Sequence, residues 1–267
     1  MKAMIPFNQS LFTAEKISQF NHAFNNNTPI RHLVIDNFLD PEFAHSIYSQ
    51  FPSLEEMGTK YRGLNENKSE DSNFEKLHSN FTELHAALSS DQFINWLESC
   101  TSIKEFTVVN DRLGYGLHQG GNNSFLDIHI DYNVHPIKKL YRKLNLILFF
   151  NPNWKDDWGG HLELWDKDVK NCVQQIAPVL NRCVLFECSD ISYHGYNRIS
   201  VPDNITRKSL YHYYFIPLSK EVSFHDTVFK SRPKETLYKK TMTPIKEFVK
   251  NTGKRVLLKL GLERFLR

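Results

Sequence analysis

The chain has 267 residues, 40% of them hydrophobic, and a formal net charge of +3 at pH 7. That length and composition allow one large domain or two small ones with a sizeable core. No run of about 18 apolar residues occurs, so no transmembrane helix is expected. The first ten residues, Met1 to Ser10, lack the apolar segment of a secretory signal, and the expected compartment is the cytoplasm. Cys100, Cys172, Cys183 and Cys188 form no CxxC pair and read as reduced, mostly buried thiols rather than a zinc or disulfide framework. The charge is uneven: Lys230 to Arg267 carry twelve Lys/Arg against three Asp/Glu, which leaves the rest of the chain net acidic.

In chain order, Ser10–Phe24 has Leu11, Ile17, Phe20 and Phe24 at helical spacing. Residues 30–39 read as a strand and turn. Asp40-Pro41 is a helix start, with Asp as N-cap and Pro at the first helical position. Residues 52–72 are long, polar and punctuated, and stand equally as a lid or a plain surface loop. Residues 74–99 are helical in pattern. From Phe106 the texture changes to short β-branched and aromatic runs at 106–117, 124–131, 144–151, 161–166, 172–177, 182–187 and 207–216. Breaks such as Gly120-Gly121-Asn122-Asn123 and Asn151-Pro152-Asn153 separate them. The pattern predicts an α+β protein, mainly β. A double-stranded β-helix (jelly-roll) core at 106–217 is backed by N-terminal helices at 1–105, and a basic helical tail spans 218–267.

Within that core, His129-Ile130-Asp131 puts an imidazole and a carboxylate on one face of a strand. His194 follows some sixty residues later and Arg207 thirteen after that. Two imidazoles and one carboxylate can hold one face of a non-haem Fe(II) and leave positions open. Each piece is weak alone in a chain with twelve His. Arg207 strengthens the set, because Arg207, Ser209, Tyr211 and Tyr213 share one strand face. A guanidinium and a hydroxyl two residues apart suit a carboxylate.

The order His129-x-Asp131, Asn151-Pro152-x-Trp154, Gly159-Gly160-x-Leu162, Tyr193-His194-Gly195 and Arg207-x-Ser209-Leu210 resembles the 2-oxoglutarate- and Fe(II)-dependent oxygenases, in their prolyl-4-hydroxylase-like branch. The resemblance covers about residues 30–217. It implies that His129, Asp131 and His194 ligate Fe(II). Arg207 would pair with the distal carboxylate of 2-oxoglutarate with support from Ser209, and Tyr115 is the strand tyrosine that reaches the same co-substrate. It implies a dioxygenase that hydroxylates an unactivated C–H bond while 2-oxoglutarate and O2 yield succinate and CO2, with ascorbate as an added reductant. Related halogenases lack the carboxylate ligand, so Asp131 favours hydroxylation. The chain departs from the hypoxia-sensing relatives at residues 146–151, where no tyrosine hydroxyl occurs and Asn145 is the polar alternative. The longer spacing to Arg207 places the loop 197–206 over the expected substrate mouth.

The substrate stays open: a prolyl or amino-acid group of a peptide, a glycan, or a small metabolite. Asn133, His135, Trp154, Trp158, His161, Glu163 and Trp165 flank the expected mouth. The basic tail reads first as a solvated helix. Second comes a contact of residues 243–267 with the inner face of a membrane, since Ile245, Phe248, Val249, Val256, Leu257 and Leu260 fit one face. No nucleic-acid partner is expected. Two other functions remain: a cupin-like metal enzyme without 2-oxoglutarate, and an inactive oxygenase-like binding module.

Overall fold

The computed structural model describes residues 6–219, 222 and 224–259. Local chemistry sets the helices. Thr13 accepts from the Lys16 amide and opens α1 (Ala14–Asn26). Strand β1 (His32–Ile35) follows, and Asp40 then caps α2 (Pro41–Ser49), accepting from the amides of Glu42 and Phe43. Helix α3 spans Ser79–Leu88, and Ser90 caps α4 (Asp91–Thr101). These helices bury Phe24, Phe43, Ile47, Phe81, Leu84, Phe93 and Trp96 against Leu117, Leu144, Leu146, Leu148, Leu185 and Tyr214 of the sheet. Each large apolar side chain so removed from water contributes about 1.5–3 kcal/mol. Strand alternation then commits the intervening residues to the opposite, inner face.

The strands are β2 (Thr59–Arg62), β3 (Glu66–Asp71), β4 (Tyr115–Gly120), β5 (Phe125–Ile130), β6 (Leu140–Phe149), β7 (Leu162–Trp165), β8 (Cys172–Ile176), β9 (Arg182–Glu187), β10 (His194–Tyr196), β11 (Arg207–Pro217) and β12 (Val228–Phe229). They form one antiparallel sheet in the order β1-β9-β6-β11-β4-β3-β5-β10-β7-β8, with β2 on β3 and β12 on β5. Strand β3 pairs with both β4 and β5, so it joins the helix-covered half to the half built of β5, β10, β7 and β8. The curled sheet is the jelly-roll core expected from the sequence.

Three segments differ from expectation. Strand β4 begins at Tyr115 rather than 106, because Asp111 turns the chain by accepting from the amides of Leu113 and Gly114. The polar stretch 52–72 contains the β2–β3 hairpin and is part of the sheet, not a loose loop. The tail is not separate from the core. Residues 228–229 return as β12 onto β5, and α5 (Leu237–Lys259) follows. Helix α5 turns Thr243 and Glu247 inward and leaves Ile245, Phe248 and Val249 exposed, so its polar side faces the protein. The reason is ionic: the Lys239 ammonium lies 2.8 Å from the buried Asp127 carboxylate, and Asn65 donates to the Thr243 hydroxyl. Leu260 lies outside the described residues. Among the described residues no helix is long and apolar enough to cross a membrane, and the four cysteines are free.

Candidate active site

Strand β5 carries His129 and ends one residue before Asp131, while β10 starts at His194 and pairs His194 directly with His129. The register alone therefore brings the distant imidazole to the HxD pair. His129 Nε2 lies 3.5 Å from one Asp131 oxygen and His194 Nε2 lies 3.4 Å from the other. The three ligand atoms fall within 4.8 Å of one another, the one such group among the described residues. Both rings are oriented through their second nitrogen. Nδ1 of His129 meets the Asp127 carbonyl at 2.9 Å, and Nδ1 of His194 meets the Ser192 carbonyl at 3.0 Å. A carbonyl only accepts, so each Nδ1 carries the proton and each Nε2 lone pair is free for a cation. Burial, with His129 beside it, pushes His194 down to about 3. Burial alone would raise Asp131, but the Arg142 cation beside it outweighs this and holds the carboxylate well below its usual range. A neutral, neutral, anionic donor set fits a divalent cation, and Fe(II) in particular.

The triad opens on a cavity of about 370 Å³ that Arg207 and Ser209 also line. Arg207 is buried. Its Nε donates to the Gly160 carbonyl at 2.7 Å, and its guanidinium sits 4.2 Å from the Tyr196 ring centroid. Gly160 has φ +70, and a Cβ there would stand 2.6 Å from Ile199 and 3.2 Å from Arg207 Cδ. Only glycine admits this backbone beside the arginine stem. Burial lowers Arg207 to about 10, and no carboxylate of the described residues pairs with it. A buried cation without an acid is costly. A dicarboxylic acid that chelates the metal at one end and meets Arg207 at the other resolves that cost, so the residues fit 2-oxoglutarate as well as iron.

Several cavity residues escaped the sequence reading. Arg142 lies 2.8 Å from Asp131 and 3.2 Å from the Tyr213 ring centroid. Lys68, Glu70 and His118 line the wall made by β3 and β4, and Glu70 accepts from the Tyr211 hydroxyl at 2.6 Å. Phe229, Lys250 and Lys254 reach the cavity from the tail, and the Phe229 ring centroid is 5.3 Å from that of His129. The Arg-x-Ser-x-Tyr alternation pointed to β11. Nothing local marked the others, because long-range pairing brings them in.

Other expected residues lie elsewhere. Tyr115 faces the helices, its ring centroid 3.8 Å from His85 and 4.9 Å from Phe74, and does not line the cavity. Alternation explains this: Tyr115 is in phase with the core residue Leu117, whereas His118 is in phase with the cavity. None of the seven residues expected at the mouth lines it. Trp154 packs edge-on to Trp158 beneath Ile199 of the 197–206 loop. Glu163 holds Arg232 and the Trp165 indole. His135 meets Asp111 at 2.9 Å, His161 meets Asp156, and Asn133 accepts from the His225 amide. Asn145 does reach the cavity, with its amide 3.4 Å from Asp131.

A jelly-roll core with two imidazoles and one carboxylate at its mouth is the arrangement that non-haem iron proteins of the facial-triad class use. Residues 115–215 match the family model described as "2OG-Fe(II) oxygenase superfamily". The chain is 26% identical to prolyl 3-hydroxylase OGFOD1 of Mus musculus over 195 residues, which are 71% of this chain and 33% of that protein. It thus spans about a third of the length of the curated relative it matches. A prolyl-4-hydroxylase of Pseudomonas putida superposes with TM-score 0.54 at 16% identity, covering 75% of this chain and all of that one. A Trichoplax adhaerens prolyl hydroxylase, solved with a hypoxia-inducible-factor peptide fragment, superposes with TM-score 0.56 at 18% identity, covering 75% and 90%. Residues 115–215 are thus similar to the 2-oxoglutarate- and Fe(II)-dependent oxygenase superfamily, and the two prolyl hydroxylase structures share the fold of this chain.

Proposed function

We propose that the protein is an Fe(II)- and 2-oxoglutarate-dependent dioxygenase that hydroxylates an unactivated C–H bond of a prolyl group in a peptide. The observation that carries the reaction class is the buried, acid-free Arg207 on the same cavity as the triad. A cupin-like enzyme or an inactive module has no use for that cation. The prolyl substrate draws support from the curated relative's name. Glycans and small metabolites are the competing arms of the substrate screen.

His129, His194 and Asp131 hold the metal, and Arg207 with Ser209 hold the distal carboxylate. When bound, Fe(II) with 2-oxoglutarate would let O2 act as the oxidant, one oxygen atom going to the substrate carbon and the other to succinate as CO2 is lost, with ascorbate as the reductant that returns idle iron to the ferrous state. Arg142 keeps the Asp131 carboxylate oriented and ionised. Phe229, Leu126 and Leu162 give the cavity apolar walls that keep water off the reacting carbon.

Anaerobic titration with Fe(II) and 2-oxoglutarate tests the reading, followed by O2 and a succinate assay over prolyl peptides, sugar nucleotides and lipid-linked glycans. A weak visible charge-transfer band and peptide-stimulated succinate are expected. Iron binding without the band would end the 2-oxoglutarate assignment. Stimulation by a glycan alone would replace the prolyl substrate.

The same proposal extends to a cytoplasmic location with α5 resting on an anionic membrane face. Its support is the exposed set Leu237, Tyr238, Ile245, Phe248 and Val249 beside exposed Lys240 and Lys246. Flotation with phosphatidylglycerol vesicles should be lost in Phe248→Ser/Val249→Ser. A wild-type protein that stays at the bottom of the gradient would remove this part.

A further inference from the structure

We infer that His118, oriented by Lys68, is a binding residue for the distal carboxylate of the co-substrate, opposite Arg207. The inference rests on the 2-oxoglutarate reading above and gives His118 the part that the sequence resemblance gave to Tyr115.

Strand register carries the argument. Strand β4 pairs with β11 on one side and β3 on the other, so Ser209, His118 and Glu70 stand in one row across three strands. In the next row Arg207 stands opposite Gly120, and the Ser69–Gln119 pairing places Lys68 beside the same glycine. Gly120 has no room for a side chain, since a Cβ would meet the Ser124 hydroxyl at 2.0 Å. Neighbouring strands are about 4.8 Å apart, so the backbones of Arg207 and Lys68 stand about 10 Å apart, with Ser124 packed over the glycine between them. His118 stands on the same face one row further along, and the side chains of Arg207, Lys68 and His118 line the same cavity.

The hydrogen bonds then define what His118 offers. His118 Nε2 lies 3.0 Å from the Lys68 ammonium and 3.4 Å from the Glu70 carboxylate. The nearer partner, the ammonium, only donates, which assigns Nε2 as the acceptor and the proton to Nδ1. No described residue takes the Nδ1 proton. Burial, then Lys68, lowers His118 to about 4, so the ring is neutral at pH 7. Glu70 lies 3.7 Å from Lys68 and takes the Tyr211 hydroxyl, which leaves Lys68 balanced rather than free. One net cation, Arg207, and one neutral donor, His118, match the single charge of one carboxylate. Tyr115, turned to the helices, offers it nothing.

Calorimetry on the Mn(II)-loaded protein, which binds without turnover, separates the possibilities. The probes are 2-oxoglutarate and pyruvate, which share the chelating 2-oxo acid but differ in the distal carboxylate. His118→Phe should weaken 2-oxoglutarate at least tenfold and leave pyruvate within twofold, while His118→Asn, which keeps a donor, should recover part of the loss. Equal weakening of both probes, or none, would overturn the inference while the wild type still binds 2-oxoglutarate. A wild type that binds no 2-oxoglutarate would instead overturn the proposed function and this inference with it. Should His118→Phe fail to fold, imidazole nitrogen NMR of the wild type decides. The Nδ1–H resonance of His118 must shift with 2-oxoglutarate and not with pyruvate, and an unmoved resonance sinks the assignment.

Discussion

Arg142 Nη2 lies 2.8 Å from Asp131 Oδ2, with its guanidinium 3.2 Å from the centre of the Tyr213 ring. The N–H direction is off-line, so the contact acts through charge rather than as a directed hydrogen bond. It occupies one carboxylate oxygen from outside the triad and holds Asp131 ionised. Removing a group that orients a metal ligand costs roughly 10–100-fold in metal affinity. Arg142→Met should therefore weaken Mn(II) binding by that range, and Arg142→Lys should recover part of it. Metal titration followed by electron paramagnetic resonance reads the change, and an unaltered affinity would show that Asp131 needs no such support.

Arg207 is held at a cost until a carboxylate arrives. Arg207→Met should raise the apparent 2-oxoglutarate requirement tenfold or more, since a hydrogen bond to a charged group contributes about 1.5–3 kcal/mol. The same change should leave the melting temperature of the ligand-free protein equal or higher, because a buried unpaired cation has gone. Thermal unfolding with and without 2-oxoglutarate measures both. A large loss of stability without ligand would mean that the bond to Gly160 and the packing on Tyr196 outweigh the buried charge.

The legible parts of this chain were those written in local order. Asp40-Pro41 announced α2, and Phe125–Asp131 announced both β5 and the metal face, because capping and alternation depend on neighbouring residues alone. His194 and Arg207 were legible through their order along the chain, which the jelly roll converts into proximity. Tyr115 misled because an aromatic suits either face of a strand, and only the phase with Leu117 shows which. Arg142, Lys68 and Phe229 were silent: each reaches the cavity through pairings tens of residues distant. The aromatic and polar set from Trp154 to Trp165 looked functional by type and is spent on packing and ion pairs.

Glu187 ties three segments together. It meets Arg31 and Lys143 at 2.6 Å each, which joins the segment before β1 to β6 and β9. Burial would raise its pKa, but the hydrogen bonds to Arg31 and Lys143 outweigh this and lower it. A carboxyl depressed in the folded state contributes stability above its unfolded value of about 4.3, and loses it as pH falls through the folded value. Glu187→Gln should therefore be less stable than wild type at pH 7, and the difference should shrink as the pH falls below about 4.3. Urea unfolding across pH 3–7 checks this, and a gap that stays constant with pH would assign the loss to shape rather than charge.

The tail is bound to the site through Asp127. This carboxylate is 2% exposed and lies 2.8 Å from Lys239, and its own backbone carbonyl meets Nδ1 of the metal ligand His129. Breaking a buried ion pair by removing one partner costs about 3–5 kcal/mol, because the remaining charge is stranded. Lys239→Met should lose stability of that order, and Lys239→Met/Asp127→Asn should regain most of it. The Asp127 carboxyl itself is linked to folding in the opposite sense to Glu187, although both mutant differences shrink in acid. Burial already raises Asp127 despite Lys239, so the carboxyl favours folding when protonated, and the loss in Lys239→Met should diminish in acid. Deleting residues 243–267 should likewise lower the melting temperature and weaken metal binding together, because Thr243 and Glu247 are buried and the tail supplies Phe229's neighbour Lys250. A truncated protein with wild-type stability and metal affinity would show that α5 merely lies on the surface, and that β12 holds the wall by itself.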